Sequence, residues 1–273
     1  MKTLDEKLKN LREKIRGYGS VLITFSGGVD STLLLKILAE ELPSRTLAVT
    51  AISDTFTLEE IERAQKLAKE LGVEHLLIES TEMTDQRFVS NPPERCYYCK
   101  HIRFSKLKEI ARDRGIENIV DGSNIDDLAD FRPGTKAVEE LGVKSPLQEV
   151  GLSKAEVREL SRRLGLPTWN VPAVACLASR IPYGETITKD KLLTIKAGED
   201  FLKSLGFSPC RLRHHGNLAR IEVPRDKFIN LIEHQEEITN YLKNLGFTYI
   251  TLDIMGLRSG SMNESLKHSC NEE

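Results

Sequence analysis

Six consecutive residues carry the sharpest chemical signal in the chain: Ser26, Gly27, Gly28, Val29, Asp30 and Ser31. They follow the apolar run Val21-Leu22-Ile23-Thr24-Phe25 and open onto Thr32-Leu33-Leu34-Leu35-Lys36-Ile37-Leu38, which reads as strand, tight turn and helix. Adjacent glycines let the backbone turn sharply and bring bare N–H groups against an anion. The helix N-terminus behind them adds partial positive charge and unpaired donors. A Walker-type loop would place a lysine and a hydroxyl residue after its glycines. Here Asp30 follows Val29, and no lysine arrives before Lys36. Hydroxyls at Ser26, Ser31 and Thr32 suit a pyrophosphate held as one unit, so a bound triphosphate would break between its α and β phosphates.

Thiols give the second signal. Cys96 and Cys99 flank two tyrosines at the start of an expected helix, whose terminus lowers thiol pKa; the spacing serves a metal or a redox dithiol. No second CxxC follows, which argues against a four-cysteine zinc site. Cys176, within Ala175-Cys176-Leu177-Ala178-Ser179-Arg180, is the third candidate. Three thiolates without an obvious fourth ligand describe a 4Fe-4S cluster with one iron open. The plainer alternative is a reduced CxxC and an unrelated Cys176. Cys210 and Cys270 read as an inert core or surface thiol and a tail residue.

Three further groups could contact a ligand. In Asp121-Gly122-Ser123-Asn124-Ile125-Asp126-Asp127, Gly122 permits close backbone approach to a nucleotide and Asn124 can read polar atoms. Asp126 and Asp127 suit magnesium as hard oxygen ligands, or equally the acidic start of a helix. Arg211 and Arg213 alternate along an expected strand and share a face, with His214, His215, Arg220 and Arg258 as further basic residues. Their forks suit the phosphate of a small anionic substrate, against the alternative of solvated surface arginines. Tyr97 and Tyr98 fit a planar ring, although Tyr98 serves as well in a helix core; Trp169 reads as a packing anchor.

The elements that must position these groups alternate. Strand-like runs at Val21 to Phe25, Thr46 to Ile52, His75 to Glu79 and Asn118 to Val120 are separated by helical spacings such as Ile61, Ala64, Ala68 and Leu71. That order predicts a parallel α/β sheet with ligands beyond the carboxyl ends of its strands. Ser26 to Ser31, Ile52 to Thr55 (with Ala51 and Ser53) and Asp121 to Asp127 then become the chemical loops. The texture changes near Pro182, after the proline-bearing stretch Pro167 to Gly184. Beyond it a helix (191–205), two strands (211–215, 218–223), a helix (226–245) and a last strand (249–253) predict a smaller α+β domain. The expected domains are 1–184 and 185–264, followed by a polar tail, 265–273.

A chain of 273 residues, 40% hydrophobic and 29% charged, excludes a disordered or collagen-like protein. The net charge of −2 exerts no global pull on nucleic acid, and no apolar stretch is long enough for a membrane span. Leu4, Leu8, Leu11 and Ile15 line a first helix with no signal-peptide core, so a cytoplasmic protein with reduced thiols is expected.

The glycine run resembles the PP-loop of the ATP pyrophosphatases, whose fold is adenine nucleotide alpha hydrolase-like. Three further segments narrow this: Asp121-Gly122-Ser123-Asn124 with Phe131-Arg132-Pro133-Gly134, Cys176-Leu177-Ala178-Ser179-Arg180-Ile181-Pro182-Tyr183-Gly184, and Arg211-Leu212-Arg213-His214-His215. Together, over nearly the whole chain, they resemble the LarE family, which thiolates pyridinium biscarboxylate mononucleotide for a nickel-pincer cofactor. The resemblance implies ATP on Ser26, Gly27, Gly28, Asp30, Ser31, Thr32, Ala51, Ser53, Gly122 and Asn124, with magnesium on Asp30 or Asp126. It implies adenylylation of a substrate carboxylate and attack by sulfur. Three cysteines imply a cluster-bound sulfide on Cys96, Cys99 and Cys176; family members with a lone cysteine at the Cys176 position sacrifice its own sulfur. Arg211, Arg213 and Arg258 would hold the substrate phosphate, with Tyr97, Arg180 and Glu199 as further contacts. The family also implies a homo-oligomer. A tRNA thiolase is the nearest rival, but it needs a basic RNA surface. A non-catalytic nucleotide or cluster sensor is a rival of another class, and the absence of pyrophosphate release with any acceptor would favour it.

Overall fold

The computed structural model of the protein describes residues 2–55, 57–128, 133–172, 175–258, 260–264 and 266. Phe131, Arg132, Ser259 and Cys270 lie outside the described residues. Two compact units divide the chain: Met1–Asp85 with Glu94–Val174, and Gln86–Pro93 with Ala175–Glu273. The change of texture near Pro182 thus lies inside the second unit.

In the first unit, β1 (Val21–Thr24), β2 (Thr46–Ile52), β3 (Glu74–Glu79) and β4 (Asn118–Val120) form one sheet in the order β3-β2-β1-β4. Every pairing is parallel, with Val21 opposite both Thr46 and Asn118. The apolar runs show little alternation because helices cover both faces of the sheet. The helices in chain order are α1 (Leu4–Arg16), α2 (Val29–Glu41), α3 (Leu58–Glu70), the short α4 (Gln86–Val89) of the second unit, α5 (Arg95–Asp113), α6 (Gly134–Glu140), α7 (Pro146–Glu149) and α8 (Lys154–Arg163). Val21 and Ile23 pack with Leu11, Leu33, Leu34, Leu67 and Leu160 on one face. Leu22, Leu47 and Val49 pack with Phe104, Leu107 and Val138 on the other. Capping boxes start α1, α3 and α8 at Thr3, Thr57 and Ser153.

The chain steps outward from β1 to β2 and β3, then returns to place β4 on the other side of β1. The order therefore reverses between β1 and β4, and the loops leaving these two strands flank a crevice of the kind where open α/β sheets bind ligands.

The second unit has its own core, Leu202, Phe207, Leu212, Ile221, Leu231, Ile238, Leu242 and Phe247 among others. It contains α9 (Lys189–Ser204), β5 (Arg211–His215), β6 (Leu218–Glu222), α10 (Phe228–Glu233), α11 (Gln235–Asn244) and β7 (Tyr249–Leu252). β5 pairs antiparallel with β6, and β6 pairs parallel with β7. The single helix expected over 226–245 is instead two, broken at His234, whose ring nitrogen Nδ1 lies 2.9 Å from the Asn230 carbonyl. The segment around α4 joins this unit through Asn91, whose side-chain amide donates to the carbonyls of Ile181 (3.3 Å) and Pro182 (2.7 Å).

Candidate active site

The first unit brings the glycine turn and the loop after β4 together at the crevice. Gly27 has φ +67°, a left-handed conformation open to glycine, and a Cβ there would stand 3.2 Å from the α3 backbone at Ala64. Arg63 on α3 donates to the Gly27 carbonyl at 3.2 Å, which fixes the turn from behind. Ser26 Oγ lies 3.1 Å from Ser31 Oγ. Gly28 caps α2, so the first amides of that helix have no intrahelical acceptor. Thr32 Oγ1 is buried without a hydrogen-bond partner among the described residues. Gly122 faces this helix start so closely that a Cβ would stand 3.0 Å from Ser31 N. Only backbone fits between the two loops.

Asp30 sits in the first turn of α2 and takes two bonds across the crevice. Asn124 Nδ2 donates to it at 3.2 Å, and the Lys154 ammonium pairs with it from the start of α8. Both side chains of that ion pair keep some solvent exposure, 30% for Lys154 and 20% for Asp30. Sequence reading did not single out Lys154; its only local signal was a place in the capping box Ser153-Lys154-Ala155-Glu156. Asp126 Oδ2 accepts the Lys154 backbone N–H at 2.9 Å and so caps α8, a helix 28 residues further along the chain. Asp127 accepts from Asn124 N at 2.9 Å and shapes the same loop. Asp121 is buried and held by Ser123 (2.7 Å) and Ser145 (2.7 Å).

Ala51 lies in β2 just before Ile52 ends the strand, and Ser53 opens the loop that follows. Ser53 Oγ donates at 2.6 Å to Glu82, a fully buried carboxylate paired with Arg103 of α5. Burial alone would raise the Glu82 pKa, but the Arg103 charge and the Ser53 and Ser80 hydroxyls outweigh it and hold the group below its ordinary range. An open pocket of about 390 Å³ adjoins this cluster, lined by Ala51, Ser80, Thr81, His101, Arg103 and Lys106 among others.

Cys96 and Cys99 lie in the first turns of α5, the first exposed and the second half-buried. Tyr97 between them donates to Glu140 at 2.7 Å, and the Lys136 ammonium stands 5.7 Å from its ring centre. Cys176 is exposed on the second unit. Among the described residues, no three His, Cys, Asp or Glu side chains are gathered as a metal site.

In the second unit the arginines sort by partner. Arg180 and Glu199 are buried and paired, Nε to Oε1 at 2.8 Å, and Glu199 also accepts Leu212 N at 3.1 Å. Glu199 keeps Arg180 charged despite burial, which alone would lower its pKa. The other arm of Arg180 donates to the carbonyls of Ala175 (2.8 Å) and Cys176 (3.4 Å), clamping the Cys176 loop. Arg213 grips the same loop at the Ser179 carbonyl (3.0 Å) and pairs with the fully buried Glu222 (2.8 Å). Arg258 is bound through Nε and Nη2 to Glu264 and through Nη1 to Asp253.

Arg211 differs from these. It donates to a neutral group, the Arg258 carbonyl at 2.8 Å, while burial and the charge of Arg180 pull its pKa down. Among the described residues, no carboxylate lies within ion-pair distance of it. Cys210 is buried and its thiol is pushed up to about 12 by burial, which keeps it inert.

Residues 6–99 match the asparagine synthase family. Over 265 residues, 96% of this chain and 99% of its relative, the sequence is 42% identical to an uncharacterized protein of Synechocystis sp.. Over 267 residues, 97% of each chain, it is 39% identical to the pyridinium-3,5-bisthiocarboxylic acid mononucleotide synthase of Lactiplantibacillus plantarum. A fainter likeness, 26% identity over 73% of this chain and 42% of its relative, is to the glutamine-hydrolyzing GMP synthase of Aeropyrum pernix.

Proposed function

This chain belongs to the LarE family of PP-loop proteins, and we propose that it uses ATP to convert a carboxylate of a pyridinium mononucleotide into a thiocarboxylate. The observation that carries this reading is the crevice between β1 and β4, where a glycine turn, bare helix amides and Asp30 meet without a Walker lysine. A carboxylate oxygen of the substrate attacks the α-phosphorus, the α–β bridging bond breaks, and pyrophosphate leaves into the amides around Gly28. Lys154 stands beside Asp30 and supplies a cation to that leaving group. The acyl adenylate is then open to a sulfur nucleophile, and the carbon–oxygen bond to AMP breaks.

Asp30 and Asp126 are hard carboxylate donors that would hold magnesium, which supplies charge neutralisation on the phosphates when bound. Ala51, Ser53, Gly122 and Asn124 would line the nucleoside side. Arg211, the guanidinium without a carboxylate, would take the substrate phosphate, with Arg213 and Arg258 beside it and Arg180 and Glu199 positioning the Cys176 loop. The Tyr97 ring, already near one cation, suits a pyridinium face.

For the sulfur source, the soft donors Cys96, Cys99 and Cys176 fit a 4Fe-4S cluster by chemistry, and that cluster would supply the transferable sulfide. A second reading, sacrifice of the Cys176 sulfur, draws support from the exposed, clamped Cys176 and the lack of a gathered thiol triad among the described residues. A reducing cytoplasm suits either route. A homo-oligomer also belongs to this reading, and exposed Ile229, Ile232, Ile254 and Met255 give it apolar surface. The test is anaerobic purification with iron and sulfide assay, then turnover with ATP and the biscarboxylate mononucleotide. Thiocarboxylate with AMP and pyrophosphate is expected; ADP as product overturns the reading. Dehydroalanine at residue 176 selects the sacrificial route.

A further inference from the structure

Two loops and one helix of the first unit are tied by a charge pair, Glu82 fully buried and Arg103 half-buried, that the chemistry above does not use. Glu82 is 0% exposed and accepts from Ser53 Oγ at 2.6 Å, from Ser80 Oγ, from Arg103 Nη2 and, at 3.4 Å, from Thr55 Oγ1. Arg103 reaches the same loops, with Nε to Ser80 Oγ at 3.3 Å and Nη2 to Thr55 Oγ1 at 3.3 Å. Ser53 and Thr55 belong to the loop leaving β2, Ser80 and Glu82 to the segment leaving β3, and Arg103 to α5. On α5, Arg103 stands four residues after Cys99, one turn along the same helix face. A satisfied buried network of this kind is rigid, and a loss at one member is felt at the others.

We propose that Glu82 and Arg103 are positioning residues that couple the nucleotide loop at Ser53 and Thr55 to the helix bearing Cys96 and Cys99. ATP on that loop then changes how the two thiols are presented, and by linkage a ligand that binds the thiols reversibly changes ATP affinity by the factor by which ATP changes its own. The inference rests on the nucleotide reading of the β2 loop given above.

The test uses the full chain and two readouts, ATP·magnesium affinity by calorimetry and the rate of maleimide labelling at Cys96 and Cys99, resolved by peptide mass. In the unmodified protein, saturating ATP should shift the labelling rate by about fivefold or more, the low end of couplings seen between linked sites. Glu82→Gln takes away the anion on which Arg103 and the Ser53, Thr55 and Ser80 hydroxyls converge and risks misfolding, so the informative variant is Glu82→Met/Arg103→Met, which removes both charges together. That variant should melt near the parent, bind ATP about tenfold more weakly, and show no ATP effect on labelling. Arg103→Lys keeps the cation without the fork and should retain part of the effect. A double variant whose labelling still responds fully to ATP would overturn the proposal, as would a parent protein that binds ATP with no change in labelling. A parent that does not bind ATP would instead sink the nucleotide reading, a separate outcome.

Discussion

The phosphate crevice of the first unit and the arginine cluster of the second treat charge in opposite ways. Around Gly28 and Ser31 the positive potential comes from backbone amides, with one partly exposed ion pair, Lys154–Asp30, across the opening. In the second unit, Arg180 and Arg213 are full charges buried against Glu199 and Glu222. Backbone donors cost little to keep unligated, because water can reach a helix N-terminus. Buried guanidinium groups hold their shape without a ligand only if carboxylates are buried with them. On the proposed reading one site is completed by its ligand, while the other is completed by the protein and, among the described residues, leaves Arg211 without a carboxylate.

The strongest test of that contrast makes the same chemical change in both places. Glu222→Gln removes the counter-charge of Arg213 and should lower stability by about 3–5 kcal/mol, read as a fall in melting temperature. Asp30→Asn breaks a partly exposed pair and should cost below about 1 kcal/mol, yet lower ATP–pyrophosphate exchange by about 100-fold or more. Equal losses of stability would erase the distinction.

A second variant sharpens it at the crevice alone. Gly122→Ala forces a methyl against Ser31 N and should weaken ATP about tenfold, or about 1.4 kcal/mol, with melting of the second unit unchanged. Cys176→Ala separates the two halves of the chemistry: thiocarboxylate formation should stop while adenylylation, followed by pyrophosphate exchange, continues.

The smallest expected effect concerns acid. Burial lowers the pKa of His214 and His215 in the second unit and of His75 in the first, each from an ordinary 6.5. A folded-state pKa below the unfolded one means that the unfolded chain binds the proton first. The stability from neutral imidazoles is thus present above pH 6.5 and is lost as pH falls through the folded values. With two such groups against one, amide protection factors, which correct for the intrinsic fall of exchange rate with pH, should drop more in the second unit as the pH is lowered from about 7 to about 5.5. His214→Gln/His215→Gln should abolish the acid sensitivity of the second unit and leave that of the first, where His75 remains.

Much of this was legible from sequence where the signal is local. The apolar runs revealed the four parallel strands, most clearly the central β1 and β2 that are buried along most of their length, and the glycine run revealed the turn because Gly27 needs a positive φ. What escaped was contributed at a distance. Lys154 meets Asp30 across 124 residues of chain, and Arg103 meets Glu82 from a different element, so no spacing rule could pair them. The break at His234 was hidden for another reason: neither glycine nor proline marks it, and a side-chain contact with Asn230 lies at the turn.

The Lys154–Asp30 contact carries one more implication. A lone divalent ion approaching Asp30 would have to evict an ammonium group and leave it without an anion. An ion arriving already chelated by triphosphate brings the replacement anion for that ammonium, and both swaps proceed together. If Asp30 holds magnesium as proposed, nucleotide and metal would therefore enter as one complex, since only the complex replaces both partners of the Lys154–Asp30 pair.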